Sequence, residues 1–293
     1  MSPNNLLQKK RPKVGLALSG GGARGFAHIG VLKVLSAAGY KIDLIAGTSM
    51  GAIIGAAYAG GYAPETIEEL AIKFSRLKEI IKLLDINPPR KGLLVGNRVK
   101  KYLEKIFQEQ HLFSDLSIPF GLNAVDLISG REIPFYSGEL LPAIMASISI
   151  PGIFAPVKLN GYYLVDGGLL NNLPVSIARS MGADIVIAIN VETNPLNHNW
   201  DVQTNQSANP ISMPEFFYDF YRAASIIMAH TTQTNLIQTP PTLLIEPPIP
   251  ADVTIFKGFL QAQQIIEYGE IAAQEMLPEI IRVTDSFVST ENQ

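Results

Sequence analysis

The chain contains no cysteine. Disulfides, a thiolate nucleophile and cysteine-ligated metals are therefore excluded, while the redox compartment stays open. Histidine is scarce, with four in 293 residues, so a histidine base has only His28, His111, His198 and His230 as candidates. Charge is sparse as well: Lys, Arg, Asp and Glu make up 17% of the chain, and the net charge is −3. Basic residues gather only in the amino-terminal KKRPK, so no electrostatic footprint for a nucleic-acid partner is present. The opening MSPNNLLQKKRPK lacks an apolar core of signal-peptide length, and no cleaved leader is expected.

Long apolar runs are nearly absent too. The uncharged stretch 44–64 reaches spanning length, yet five of its positions are glycine and most of the rest are small or hydroxylated. That composition gains little from lipid, and no transmembrane helix is expected. Within the stretch, GTSMGAIIGAAYAGG has two readings: G-x-S-x-G is the spacing of a serine on a sharp strand-to-helix turn, and Gly47, Gly51 and Gly55 form a G-x-x-x-G ladder, the pattern with which a membrane helix builds a dimer face.

What is present is apolar: 47% of the residues are hydrophobic, enough to bury a sizeable core. The amino-terminal half alternates β-rich runs with helical patterns, which predicts an α/β fold with a largely parallel sheet. VGLALS and IDLIA read as buried strands, each followed by a glycine turn and a helix. Pro64 opens another helix, and one capped at Asn97 follows. Hairpins are expected around Ser129-Gly130 and, more strongly, around Asn160-Gly161. ADIVIAINV reads as a further strand, 192–213 as a polar loop, 214–238 as a long helix, TLLIEP as a short strand, and FLQAQQIIEYGEIAAQEM as a final helix. The proposed organisation is a basic tail over 1–13, a main unit over 14–191, and a loop and helical extension over 192–293 packed on the same domain.

Three glycine turns carry chemistry. GGGARG, comprising Gly20, Gly21, Gly22, Ala23, Arg24 and Gly25, fits a dinucleotide fingerprint. However, the acidic residue expected at the carboxyl end of the next strand is missing. The same amides suit a developing oxyanion. Ser49 sits in GTSMG between Gly47 and Gly51, as a nucleophile or as a satisfied hydroxyl in a tight turn. Asp166 precedes Gly167 and Gly168, where a general base, a helix cap and a plain turn residue are all open. His198 and His230 follow Asp166, but neither sits in a turn after a strand, and His28 lies on the first helix beside GGGARG.

GLALSGGGARGFAHIGVLKVL, IDLIAGTSMGAIIGAAYAGG, ASISIPGIFAPV and LVDGGLLNNLPV resemble, in this order, the patatin-like phospholipases, above all bacterial members and the catalytic domain of neuropathy target esterase. The resemblance spans roughly 14–191. It implies a three-layer fold with a largely parallel sheet between helices, and a dyad of Ser49 and Asp166 without a histidine. It also implies an oxyanion hole from the GGGARG amides, with Arg24 shaping or charging the loop, and neither metal nor cofactor. The expected activity is hydrolysis of fatty-acyl esters of phospholipids, lysophospholipids or related lipids. The expected partner is a lipid substrate, with peripheral membrane contact through the tail or the 192–213 loop, from a cytoplasmic location. An acyl slot is expected around 148–154 or the phenylalanine-rich segment 216–220. A dinucleotide-dependent oxidoreductase and a catalytically silent lipid-binding protein are the alternatives.

Overall fold

The structure is a computed structural model that describes residues 11–75, 96–192, 215–253 and 257–290. Strand β1 (Val14–Leu18) is buried along its whole length. Its alternate side chains serve two cores, Leu16 and Leu18 on one face and Ala17 on the other. Strand β7 (Ile185–Ile189) repeats the pattern, with isoleucines toward the larger core and Val186 and Ala188 toward the smaller. Such two-sided burial is the mark of a parallel sheet covered by helices on both faces.

Among the described residues the sheet has eight strands. Strands β1, β2 (Leu44–Gly47), β3 (Phe120–Asp126), β7 and β8 (Leu243–Ile245) run parallel in the order β3-β2-β1-β7-β8. An antiparallel extension consists of β4 (Arg131–Phe135), β5 (Val157–Leu159) and β6 (Tyr162–Asp166). The β5–β6 turn has Asn160 at φ 50 and Gly161 at φ 83, the two left-handed residues that a two-residue hairpin loop requires.

Helices α1 (Ala27–Ala37), α2 (Met50–Ala59), α3 (Pro64–Phe74), α4 (Asn97–Ile106) and α5 (Leu140–Ser147) contribute to the larger core, as does α9 (Ala262–Thr290). Short helix α6 (Gly168–Asn171) follows β6. Helix α7 (Val175–Ser180) fills the smaller core with Leu173, and the long α8 (Glu215–Gln238) packs on α6. The stretch 44–64 is thus a strand followed by a ten-residue helix, and among the described residues no helix is long and apolar enough to cross a membrane.

Among the boundaries that differ from the expectation, two have a clear physical reason. Asn97 is the first residue of α4 rather than its cap; the cap position belongs to Gly96, at φ 76 and without a side-chain bond. Helix α9 continues through Pro278 to Thr290, well past Met276. Proline removes one internal hydrogen bond, and packing on either side, with Ala273 and Ile280 both buried, carries the helix across.

Candidate active site

The register of β3 explains the meeting of two turns distant in sequence. Along one edge β3 pairs with β4 from Leu122 to Asp126. Its opposite edge is shared: β2 occupies the first part, with Gly47 beside Leu122, and β6 arrives antiparallel, with Asp166 beside Ala124. The carboxyl ends of β2 and β6 therefore point at each other, with Asn123 of β3 between them.

Ser49 follows β2 in a backbone conformation that L-residues rarely adopt, φ 52 and ψ −118. Strain of this kind persists only where surrounding contacts enforce it. A side chain at Gly51 would collide with the Leu18 carbonyl, and one at Gly47 would meet the Gly51 carbonyl at 2.5 Å, so both glycines let the turn close. The Ser49 N–H donates to Ser147 Oγ at 3.0 Å. Its hydroxyl donates to Asp166 Oδ2 at 2.7 Å.

The second carboxylate oxygen of Asp166 accepts the Gly168 N–H at 2.8 Å, and the Asp166 N–H donates to the Ser149 carbonyl at 3.0 Å. Burial raises this carboxyl from 3.8 to about 6, although the bonds from Ser49 and Gly168 pull it back. Gly167 and Gly168 are needed for space: an added Cβ at Gly167 would run into the Asn123 side chain, and one at Gly168 into Asn172 Oδ1 at 2.7 Å.

The GGGARG turn lies on the other side of Ser49, for a Cβ at Gly20 would stand 3.1 Å from the Ser49 Cβ. The Gly20 amide is committed to the Asn172 carbonyl at 3.0 Å and the Arg24 amide to the Gly21 carbonyl at 3.1 Å. Those of Gly21 and Gly22 have no partner among the described residues. Ala23 and Gly25 are buried in the 3-10 turn that leads into α1, and Met50 fills the space beside Gly25. The Arg24 guanidinium is buried and donates to the carbonyls of Val191 at 2.7 Å, Pro250 and Val253 at 3.0 Å, and Ile249 at 3.3 Å.

None of the described histidines bonds to Ser49 or Asp166. His28 is fully buried, its Nε2 bonds the Ser19 carbonyl at 2.8 Å, and burial lowers it to about 4, which keeps it neutral. His111 and His230 are exposed. His198, the 192–213 loop beyond Glu192, the first ten residues of the tail, and the side chains of Phe216 and Phe217 lie outside the described residues. In the 148–154 segment, Ile148 and Ile153 are core residues, while Ile150 and Phe154 are half-buried.

Four positions escaped the sequence reading. Ser147 and Ser149 hold the Ser49 amide and, through a carbonyl, the Asp166 amide. Asn123, fully buried, accepts from Thr48 Oγ1 at 2.8 Å and donates to Glu132 at 2.8 Å, to the Asn171 carbonyl at 3.0 Å and to that of Gly167 at 3.5 Å. Behind the glycine turn, Glu192 accepts from Asn172 at 3.1 Å and Thr232 at 3.4 Å, and burial raises it to about 7. The signal available in sequence was a polar residue interrupting an apolar run, as in LNAV and ASIS.

Residues 16–179 match the family model of the patatin-like phospholipases. An uncharacterized NTE family protein of Mycobacterium tuberculosis is 37% identical over 199 residues, 67% of this chain and 54% of that protein. Patatin-like phospholipase domain-containing protein 6 of Homo sapiens is 36% identical over 61% of this chain and 13% of its own length. Lysophospholipase NTE1 of Coccidioides immitis is 31% identical over 90% of this chain and 17% of its own. Among solved structures, VipD from Legionella pneumophila superposes with a TM-score of 0.42 at 15% identity, covering 88% of this chain and 67% of that one. The chain spans about half the length of the mycobacterial relatives it matches, and a small fraction of the longer ones. The family model covers more than half of the chain, from the first strand through the Asp-Gly-Gly turn, and the chain belongs to the patatin-like phospholipase family.

Proposed function

We propose that the chain is a serine acyl hydrolase acting on fatty-acyl esters of phospholipids or lysophospholipids through a dyad of Ser49 and Asp166. The observation that carries this reading is the 2.7 Å hydrogen bond from the Ser49 hydroxyl to a buried carboxylate, made from a strained turn. Asp166 takes the Ser49 proton as Oγ attacks the ester carbonyl. The tetrahedral intermediate collapses by returning that proton to the departing alcohol, leaving an acyl-serine. Water, deprotonated by Asp166, then releases the fatty acid and restores Ser49. A carboxylate raised to about 6 is a far better base than one at 3.8, yet it remains ionised at neutral pH.

The amides of Gly21 and Gly22, without a partner among the described residues, support a narrower oxyanion site than the whole GGGARG turn, with Gly20 and Arg24 amides serving the loop's own structure. The carbonyl ligands of Arg24 favour shaping over charging. The names of the relatives, phospholipase and lysophospholipase, support a lipid ester as substrate and, with it, peripheral contact with a membrane. The carboxyl end of β2 carries Ser49 instead of an acidic residue, so nothing favours a dinucleotide.

The test compares the full chain with Ser49→Ala and Asp166→Asn on a short-chain aryl ester and on a lysophospholipid, with a fluorophosphonate label to mark the nucleophile. Expected are labelling at Ser49 and a loss of turnover in both variants of at least about 10³-fold. Unchanged turnover in Ser49→Ala would overturn the proposal.

A further inference from the structure

Turns between antiparallel strands are ordinarily built from small polar residues; the β3–β4 turn instead opens with two large apolar ones, and its neighbour, Asn160-Gly161, is followed at once by a tyrosine. The β3–β4 turn carries Leu127, 49% exposed, and Ile128, 80% exposed; β6 begins, directly after the β5–β6 turn, on Tyr162, 41% exposed. The two are joined side by side, because the Leu127 N–H donates to the Tyr163 carbonyl at 2.9 Å and the Tyr163 N–H to Asp126 Oδ1 at 2.9 Å. They form one apolar knob.

Register places the knob relative to the dyad. Strand β3 continues four residues past Leu122, the partner of Gly47, and Tyr162 stands four residues before Asp166 on β6. At roughly 3.3 Å per residue, the knob lies about 13 Å beyond the dyad, at the end of the sheet that delivers Ser49.

Its polar surroundings are cationic on the outside. Arg131, opposite Asp126, and Lys158, opposite Tyr163, are both exposed. The nearby carboxylates turn inward: Asp126 accepts backbone amides of Ser129 and Tyr163, and Glu132 accepts from Asn123 and Asn171. Exposed aliphatic and tyrosine side chains beside outward basic ones suit a lipid–water interface that contains anionic lipid.

We propose that this double turn is the surface that docks the protein on such an interface, with Leu127, Ile128 and Tyr162 entering the headgroup layer and Arg131 and Lys158 resting on anionic headgroups. The proposal rests on the reading of the substrate as a lipid, and it assigns membrane contact to these turns instead of the tail or the 192–213 loop.

Vesicle co-sedimentation of the full chain carrying Ser49→Ala, which leaves the lipid intact, tests it. Vesicles of phosphatidylcholine mixed with phosphatidylglycerol are compared with phosphatidylcholine alone. The expected results are tighter binding to the mixed vesicles, at least about a tenfold loss with Leu127→Ser, Ile128→Ser and Tyr162→Ser combined, and loss of the anionic preference with Arg131→Gln and Lys158→Gln. A second variant, Ile128→Trp, is expected to shift its emission to the blue on mixed vesicles relative to the unmodified chain, whose single tryptophan is Trp200. No vesicle binding by the unmodified surface, undiminished binding after the serine substitutions, an unshifted emission, or gel filtration showing that those substitutions dissolve a complex between copies instead would each overturn the proposal. Turnover of the soluble aryl ester reads the dyad without vesicles. A dead dyad with intact vesicle binding overturns the proposed activity alone, and an active dyad with vesicle binding indifferent to the turns overturns the docking surface alone.

Discussion

Burial raises Asp166 to about 6, against two hydrogen bonds that pull it down. Its folded-state value lies above the unfolded one, so the folded chain holds the proton more tightly between about pH 3.8 and 6, and the stability contributed by the protonated form is lost as pH rises through that window. Ionising the group in place costs on the order of 3 kcal/mol at neutral pH. Asp166→Asn, which keeps an acceptor for Gly168 and offers Ser49 a donor, is expected to raise Tm at pH 8 and to show no gain below about pH 4. Thermal scans across pH check this, taken as differences from the unmodified chain because Glu192, raised to about 7, adds a slope of the same sign. If Asp166 is the proposed base, the unmodified chain should lose kcat/KM about tenfold per pH unit below about pH 6, as that carboxylate protonates. The turns that hold Ser49 and Asp166 could be placed from sequence because glycine patterns mark them. Asn123 could not, since a buried asparagine and a solvent-facing one look alike within LNAV; only the register that sets it between Gly47 and Asp166 reveals its use. Asn123→Ala leaves Thr48, Glu132 and two carbonyls without this partner. The expected cost is about 2–4 kcal/mol, together with a fall in kcat of about 10–100-fold at nearly unchanged KM, because the two turns lose alignment while the substrate surface stays intact. Chemical denaturation and steady-state kinetics measure the two effects separately.

Helix α2 shows why the glycine ladder and the serine pattern are one device. Gly51 sits against the backbone of Leu18 and Ser19, and Gly55 one turn later against Phe120, Ile45 and Leu18 side chains at 3.0–3.2 Å from an added Cβ. The ladder that suggested a contact between membrane helices is an internal contact between a helix and the sheet beneath it. The two glycines should respond differently. Gly51→Ala drives a methyl into backbone that cannot withdraw without opening the Ser49 turn, so aryl-ester turnover should be lost along with several kcal/mol of stability. Gly55→Ala meets side chains that can shift, and alanine's helix preference of about 1 kcal/mol offsets part of the crowding. Its stability should stay within about 2 kcal/mol of the parent with turnover largely kept. Elements with a regular apolar period and a glycine or proline boundary, such as β1, β7 and α3, could be read in advance. The end of α9 could not, because Pro278 gives a stop signal that buried Ala273 and Ile280 override.

At the scale of the whole molecule, contacts that no local pattern announces tie described residues beyond 192 to the site. Strand β8 completes the sheet beside β7. Helix α9 lies so close to α1 that a side chain at Gly30 would strike the Ile266 carbonyl and one at Gly269 the Ala27 carbonyl. Lys33 of α1 also bridges Glu68 of α3 and Glu270 of α9. Since α1 begins where GGGARG ends, α9 supports the proposed oxyanion turn from behind. Arg24 makes a further tie, reaching from that turn to carbonyls that precede and follow β8 in the chain. Its planar fork can satisfy several carbonyls at once, which an ammonium on a flexible stem cannot. If the positive charge itself stabilised an oxyanion, Arg24→Lys would retain much of the activity that Arg24→Met loses. If the guanidinium is a clamp, both substitutions leave buried carbonyls unsatisfied and should fail alike. We expect the second outcome: a drop of about 10²-fold or more in aryl-ester turnover for both variants, with each destabilised by several kcal/mol. Urea denaturation alongside the kinetics decides between the two, because a charge effect on the transition state would lower kcat in Arg24→Met while leaving the unfolding midpoint of Arg24→Lys close to that of the parent.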